Sequence, residues 1–178
     1  MFTILTVRFN NETWDASKRY RESRNFACIY APPTRIGESV GLNTPAFVIE
    51  MNNSTNQIMG IGLINNKLVT DRVYKVQEDT NCNRYIYIGK YHISREVLIV
   101  YNAPLVNALD IILFKGYTHS KRGGGLSKIP EKVLKFDICK DLDIKNTIKN
   151  LFLAHFLEKA DKHLDKNLDE ESILLKIH

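Results

Sequence analysis

The stretch that decides the fold is Ala46-Phe47-Val48-Ile49-Glu50-Met51, then Asn52-Asn53-Ser54-Thr55-Asn56-Gln57, then Ile58-Met59-Gly60-Ile61-Gly62-Leu63-Ile64. Two apolar runs joined by a dense asparagine turn signal predict a β-hairpin. Gly60 and Gly62 fall on one face of the second strand, because side chains alternate along an extended chain. Glycines inside a strand mark a bulge, a close approach by a neighbour, or space left for a ligand.

Short strands and turns continue on either side of this hairpin. The opening Met1-Phe2-Thr3-Ile4-Leu5-Thr6-Val7-Arg8 reads as a first strand and lacks the basic start and long apolar core of a signal peptide. Phe26 to Ala31 is a brief apolar run stopped by Pro32-Pro33. Leu68 to Val76 and Arg84 to Ile93 predict a second hairpin around Glu78-Asp79-Thr80-Asn81.

Helices are expected at the edges: a polar one over Glu12 to Arg24, one over Pro104 to Phe114 with part of that run open to strand, and a turn through Pro130 to Leu134 capped by Ser127. The clearest runs from Leu142 to His163, where Ile144, Ile148, Leu151, Phe152, His155, Phe156 and Ala160 form one stripe behind an Asp141 or Asp143 cap. Asn167 to His178 reads as a short final helix or a frayed tail.

The sum is roughly six or seven short strands with peripheral helices, an α+β class chain. A small β-barrel or curved antiparallel sheet over residues 1–140 is expected, with a helical extension over 141–178 packed on it.

Composition sets the broad class. The chain has 178 residues, 44% hydrophobic and 25% charged, which is ordinary for a folded domain. Its net charge of +5 favours an acidic partner only mildly, but the charge is uneven. Cys28, Cys82 and Cys139 are odd in number and lack paired spacing, which argues against a disulfide framework and against a zinc site. The histidines do not cluster: His155 and His163 are two helical turns apart, too far to share an ion. No uninterrupted apolar run approaches the ~20 residues that cross a bilayer. No cofactor, metal or membrane partner is expected, and the expected setting is intracellular.

The basic charge concentrates in Lys115-Gly116-Tyr117-Thr118-His119-Ser120-Lys121-Arg122-Gly123-Gly124-Gly125-Leu126-Ser127-Lys128, a run without an acid. Glycines let backbone N–H groups approach a ligand, and Lys115, His119, Lys121, Arg122 and Lys128 favour phosphate oxygens. The spacing matches neither a P-loop nor a dinucleotide-binding fingerprint. A solvated, charge-bearing hairpin loop is the plain alternative.

A second feature is Arg84-Tyr85-Ile86-Tyr87-Ile88-Gly89-Lys90-Tyr91. In a strand, Tyr85, Tyr87 and Tyr91 share one face beside Arg84 and Lys90, where unpaired bases could stack. A tyrosine ladder that only supports the sheet is the alternative. Asn52 and Asn53 could read a base edge or simply make the turn, and Trp14 could line an aromatic pocket or anchor the core. His119 with Lys121 or Thr118 is the one cluster with any catalytic potential, and no hydrolase, metalloprotease or kinase motif is present, so no enzymatic activity is expected.

The hairpin of Ala46 to Ile64, with its Gly60-Ile61-Gly62 run, resembles part of the PUA-like barrels of the EVE, ASCH and YTH branches, over about Phe26 to Leu134. The resemblance implies a nucleic-acid groove completed by a later basic loop. The tryptophan cage of methyladenosine readers has no counterpart, since Trp14 is the sole tryptophan. The chain also resembles proteins of large DNA viruses, consistent with its many Asn, Lys and Ile residues.

Two functions are therefore expected in competition. One is a non-catalytic RNA-binding or single-strand-binding module built on the basic loop and the tyrosine face. The other is a virion or viral-factory interaction protein, in a host cytoplasm, that meets a protein partner through its C-terminal helix.

Overall fold

The computed structural model describes residues 2–163; the final helix or tail expected over Asn167 to His178 lies outside the described residues. The strands are β1 (Thr3–Phe9), β2 (Cys28–Tyr30), β3 (Pro45–Asn52), β4 (Gln57–Asn65), β5 (Tyr87–Gly89), β6 (Tyr91–Ser94) and β7 (Ser127–Lys128). The helices are α1 (Asn11–Ser23), α2 (Arg95–Phe114) and α3 (Ile144–His163).

The hairpin of β3 and β4 forms as its sequence predicts, antiparallel, with Ala46 opposite Ile64 and Val48 opposite Gly62. A register shift follows Glu50, so the glycine-bearing strand does carry an irregularity. Around it the sheet runs β6-β4-β3-β1-β7, and β2 pairs with β5 in a separate two-stranded sheet.

The sheet is mixed and does not close into a barrel, which corrects the expectation of a barrel or a wholly antiparallel sheet. The cause is the long connection through α1 and β2, which returns the chain beside β1 in the parallel sense. General α+β architecture stands.

Both faces of β3 are buried, which is why its sequence is apolar almost throughout. Phe47, Ile49 and Met51 face the cluster containing α2 and α3 residues, while Ala46 and Val48 join Leu5, Val7, Trp14, Cys28, Tyr30 and Tyr87 on the other side. Glu50 shares the second face by alternation.

α1 begins with a capping box, in which Thr13 N–H donates to Asn10 Oδ1 at 2.8 Å and Asn10 N–H to Thr13 Oγ1 at 3.0 Å. α2 starts nine residues before the expected Pro104 and is broken at Asn102 (φ −159°, ψ 80°). Asn102 Oδ1 accepts from Leu105 N–H at 2.9 Å and so caps the second half, leaving Pro104 in a first turn where its missing N–H is no loss. By length and composition α2 would suit a bilayer, but Leu98, Leu105, Leu109, Ile112 and Leu113 are packed in the core.

α3 follows its predicted stripe, with Asp143 Oδ1 accepting from Asn146 N–H at 3.1 Å. Ile144, Ile148, Leu151 and Phe152 are all buried against the sheet and α2. Through His155 the stripe is buried, and Phe156 is half-buried.

Two further expectations fail. Leu68 to Val76 is not a strand: it keeps one backbone bond to the second run, Val69 N–H to the Ile86 carbonyl at 2.9 Å, and at its end Asn83 Oδ1 takes the N–H groups of Val76 and Gln77 at 2.9 and 3.0 Å. Ser127 is not a cap but part of β7, pairing with Thr6 at the sheet edge.

Candidate functional site

At the C-terminal end of β1, Arg8 reaches across to the basic loop. Its Nε donates to the Ser120 carbonyl at 2.5 Å and its Nη1 to Ser127 Oγ at 3.1 Å. None of the ion pairs among the described residues includes Arg8. Burial pulls its guanidinium below the ordinary value, yet an arginine stays charged in protein surroundings. A half-buried cation held only by neutral oxygens retains capacity for an anion.

The three glycines run beside this cation. Gly123 (φ +105°) and Gly125 (φ +68°) use backbone regions that side chains avoid. A Cβ on Gly123 would stand 3.9 Å from Arg8 Cζ, and one on Gly125 2.7 Å from Thr34 Oγ1. The N–H groups of Gly123, Gly124 and Gly125 donate to no acceptor among the described residues. Other bonds hold the loop: Ser120 N–H to the Leu113 carbonyl at 2.7 Å, Asn53 Nδ2 to the Lys121 carbonyl at 3.0 Å, and Ser127 Oγ to the Gly124 carbonyl at 3.4 Å.

Arg8 and the glycines rim a cavity of about 200 Å³. Its walls are otherwise largely apolar: Val7 and Phe9 of β1, Ile29 and Tyr30 of β2, Pro32 and Pro33, and Val76. Thr13 and Ser17 of α1, Gln77 and Cys82 add polar edges. Such a site suits a flat, partly apolar group attached to an anion.

Behind the cavity wall lies a buried ionic cluster. Glu50 is 1% exposed, and its Oε2 meets His92 Nε2 at 2.9 Å. Its Oε1 accepts from Tyr30 OH at 2.9 Å and from Arg21 Nη1 at 3.4 Å. Burial alone would raise the Glu50 carboxyl, but the charge and hydrogen bond of His92, with Arg21 and Tyr30, hold it below its ordinary value. The Cys28 thiol, buried beside it, is pushed up to about 12 by desolvation and the Glu50 charge, so it is an unreactive thiol. Tyr30 is likewise pushed well above its ordinary value by burial and by Glu50.

Gly60 and Gly62 make room for this cluster. A Cβ on Gly62 would lie 2.2 Å from Tyr30 OH and 2.9 Å from Cys28 Sγ. The space that those glycines leave is filled by the protein's own side chains. Arg21 also stacks over Trp14 at 5.1 Å, which ties α1 to the cluster.

The sequence-derived site residues divide accordingly. Gly123, Gly124 and Gly125 line the cavity, with Lys121 half-buried and Arg122, Lys128 and Lys115 exposed along the same loop. His119 is half-buried, its Nδ1 accepting from Lys121 N–H at 3.3 Å. Arg84 and Lys90 are exposed, and Tyr85 is half-buried with Arg35 over its ring at 5.4 Å.

Tyr87 and Tyr91 are buried, 1% and 7% exposed, which overturns the open tyrosine face. Pairing of β5 with β2 turns Tyr87 inward, where its hydroxyl accepts from Ile36 N–H at 3.1 Å. Asn52 is buried and makes the turn, its Nδ2 donating to Asn11 Oδ1 and its Oδ1 accepting from Ser54 N–H, both at 2.9 Å. Asn53 Nδ2 makes the loop contact to the Lys121 carbonyl, while its buried Oδ1 accepts no hydrogen bond among the described residues. Trp14 packs on Phe9 at 5.5 Å as a core anchor and does not line the cavity.

Sequence reasoning missed Arg8 and Glu50. An acid within an apolar strand opposite two glycines was a usable signal for Glu50, whereas Arg8 depends on contacts with residues more than a hundred positions away. Among the described residues, no group of three or more His, Cys, Asp or Glu side chains could hold a metal ion. Comparison with known proteins finds no matching family model, no matching curated protein and no matching solved structure.

Proposed function

We propose that this protein is a non-catalytic module that binds single-stranded RNA at the Arg8 cavity. The observation that supports the reading is a half-buried guanidinium that joins no ion pair among the described residues, at the rim of an apolar cavity edged by glycine N–H groups that donate to no acceptor among them. A phosphate fits the Arg8 and Gly123–Gly125 rim, and the apolar walls beside Pro32 and Phe9 suit the base attached to it. Lys121, Arg122 and Lys128 extend the positive charge along the strand's path. The finer architecture we propose is an open relative of the PUA-like arrangement, on the strength of the β3–β4 hairpin followed by a basic loop.

Anisotropy titration of a fluorescent RNA strand tests the reading. Replacing Lys121 and Arg122 together with alanine is expected to weaken binding and to lower the log–log salt slope by about 0.7 for each phosphate no longer neutralised. An unchanged affinity and slope would take the site away from this loop.

A further inference from the structure

We propose that Tyr117 is the stacking platform for an unpaired base of the same strand, a subsite distinct from the cavity; this rests on the nucleic-acid reading above. With Tyr87 and Tyr91 buried and Tyr85 half-buried beneath Arg35, the expected tyrosine face presents no fully open ring to a single strand. Tyr117 is 104% exposed, so its ring is presented whole to solvent. Laying a base over it would remove apolar area from water on both partners.

The loop geometry supports this role. Gly116 just before the tyrosine takes φ +76°, a backbone conformation that favours glycine. Ser120 N–H donates to the Leu113 carbonyl at 2.7 Å, which closes the loop at its base. The Ser120 carbonyl in turn accepts from Arg8, so one residue joins the base of the Tyr117 loop to the cation at the cavity rim. Two residues, Thr118 and His119, separate Tyr117 from Ser120, so their Cα atoms are at most about 10 Å apart. That is short enough for neighbouring nucleotides of one strand to meet both features. Lys115 and Lys121 flank the ring in sequence, and the run holds no acid to repel a backbone.

The test compares wild type with Tyr117→Ala and Tyr117→Phe, using an eight-nucleotide oligoadenylate RNA and a blunt RNA duplex of equal charge. Tyr117→Ala is expected to bind the single strand about five- to tenfold more weakly, with duplex affinity and salt slope unchanged. Tyr117→Phe is expected to restore wild-type affinity, because the ring and not the hydroxyl stacks. Equal melting temperatures establish that the loop change leaves the fold intact. If wild type prefers the single strand and Tyr117→Ala keeps that preference, the platform is overturned while the RNA-binding reading stands. If wild type binds neither RNA, the functional reading itself falls, and the platform with it.

Discussion

The His92 nitrogen that meets Glu50 Oε2 at 2.9 Å lies 2.7 Å from the place where a Cβ on Gly60 would stand. The pairing of Glu50 with Gly60 across β3 and β4 is thus a steric requirement of the ion pair. The same Cβ would also come within 2.8 Å of the Ile93 carbonyl oxygen, a backbone atom that cannot rotate away. Gly60→Ala is therefore expected to destabilise the fold by about 1–3 kcal/mol through overpacking. Gly37→Ala, where nothing lies within 4 Å, is the matched control and is expected to stay within about 0.5 kcal/mol of wild type. Urea denaturation of the two variants makes the comparison.

The cluster also sets an acid limit on stability. Against the burial that would raise it, His92, Arg21 and Tyr30 hold the folded-state Glu50 carboxyl below its ordinary value of 4.5. Its stabilising contribution is therefore complete above that value and is lost as pH falls through the lower folded one. Glu50→Gln removes the charge and leaves Arg21 and His92 without their carboxylate, costing about 3 kcal/mol or more at neutral pH. The stability gap between wild type and Glu50→Gln is expected to narrow as the pH falls below 4.5. A gap constant from pH 7 to acid unfolding would show that Glu50 titrates alike in both states.

The elements legible in the sequence are those whose signals are local. The β3–β4 hairpin has two apolar runs and an asparagine turn, and α3 has a stripe and a capping aspartate, so each reads correctly from within its own span. The closure of the sheet is set by where the chain returns after α1, which no local pattern encodes. The Tyr85–Tyr91 face shows the same limit. Alternation correctly separates Tyr87 from Ile86 and Ile88, but it cannot say that β2 and the β1–β3 face will cover the tyrosine side. The basic loop was visible as composition; its cation at the rim, Arg8, was not, because its partners Ser120 and Ser127 are distant in the chain.

Burial changes what a tyrosine substitution should do. Tyr87→Phe deletes the hydroxyl that accepts from Ile36 N–H and leaves that buried donor without its partner. The expected cost is about 1–3 kcal/mol of stability. RNA affinity is expected to match wild type at temperatures where both are folded. A variant that melts normally yet loses RNA binding would return Tyr87 to the interface.

Arg8 separates charge from geometry at the proposed site. Its guanidinium spends one arm on the Ser120 carbonyl and another on Ser127 Oγ, and the planar fork has donors left for a phosphate. A lysine keeps the positive charge but offers one flexible ammonium, which cannot hold both loop oxygens and a ligand in fixed directions. Arg8→Lys is therefore expected to keep the salt slope of RNA binding and lose about tenfold in affinity, whereas Arg8→Ala also lowers the slope by about 0.7. Neither variant removes an ion pair among the described residues, so the loss of stability is expected to remain about 1–2 kcal/mol, from the two loop hydrogen bonds. Titrations at several salt concentrations, read beside thermal melts, distinguish these outcomes. Equal affinities for wild type, Arg8→Lys and Arg8→Ala would mean that Arg8 only braces the loop and that the anion, if bound, sits on Lys121 and Arg122 instead.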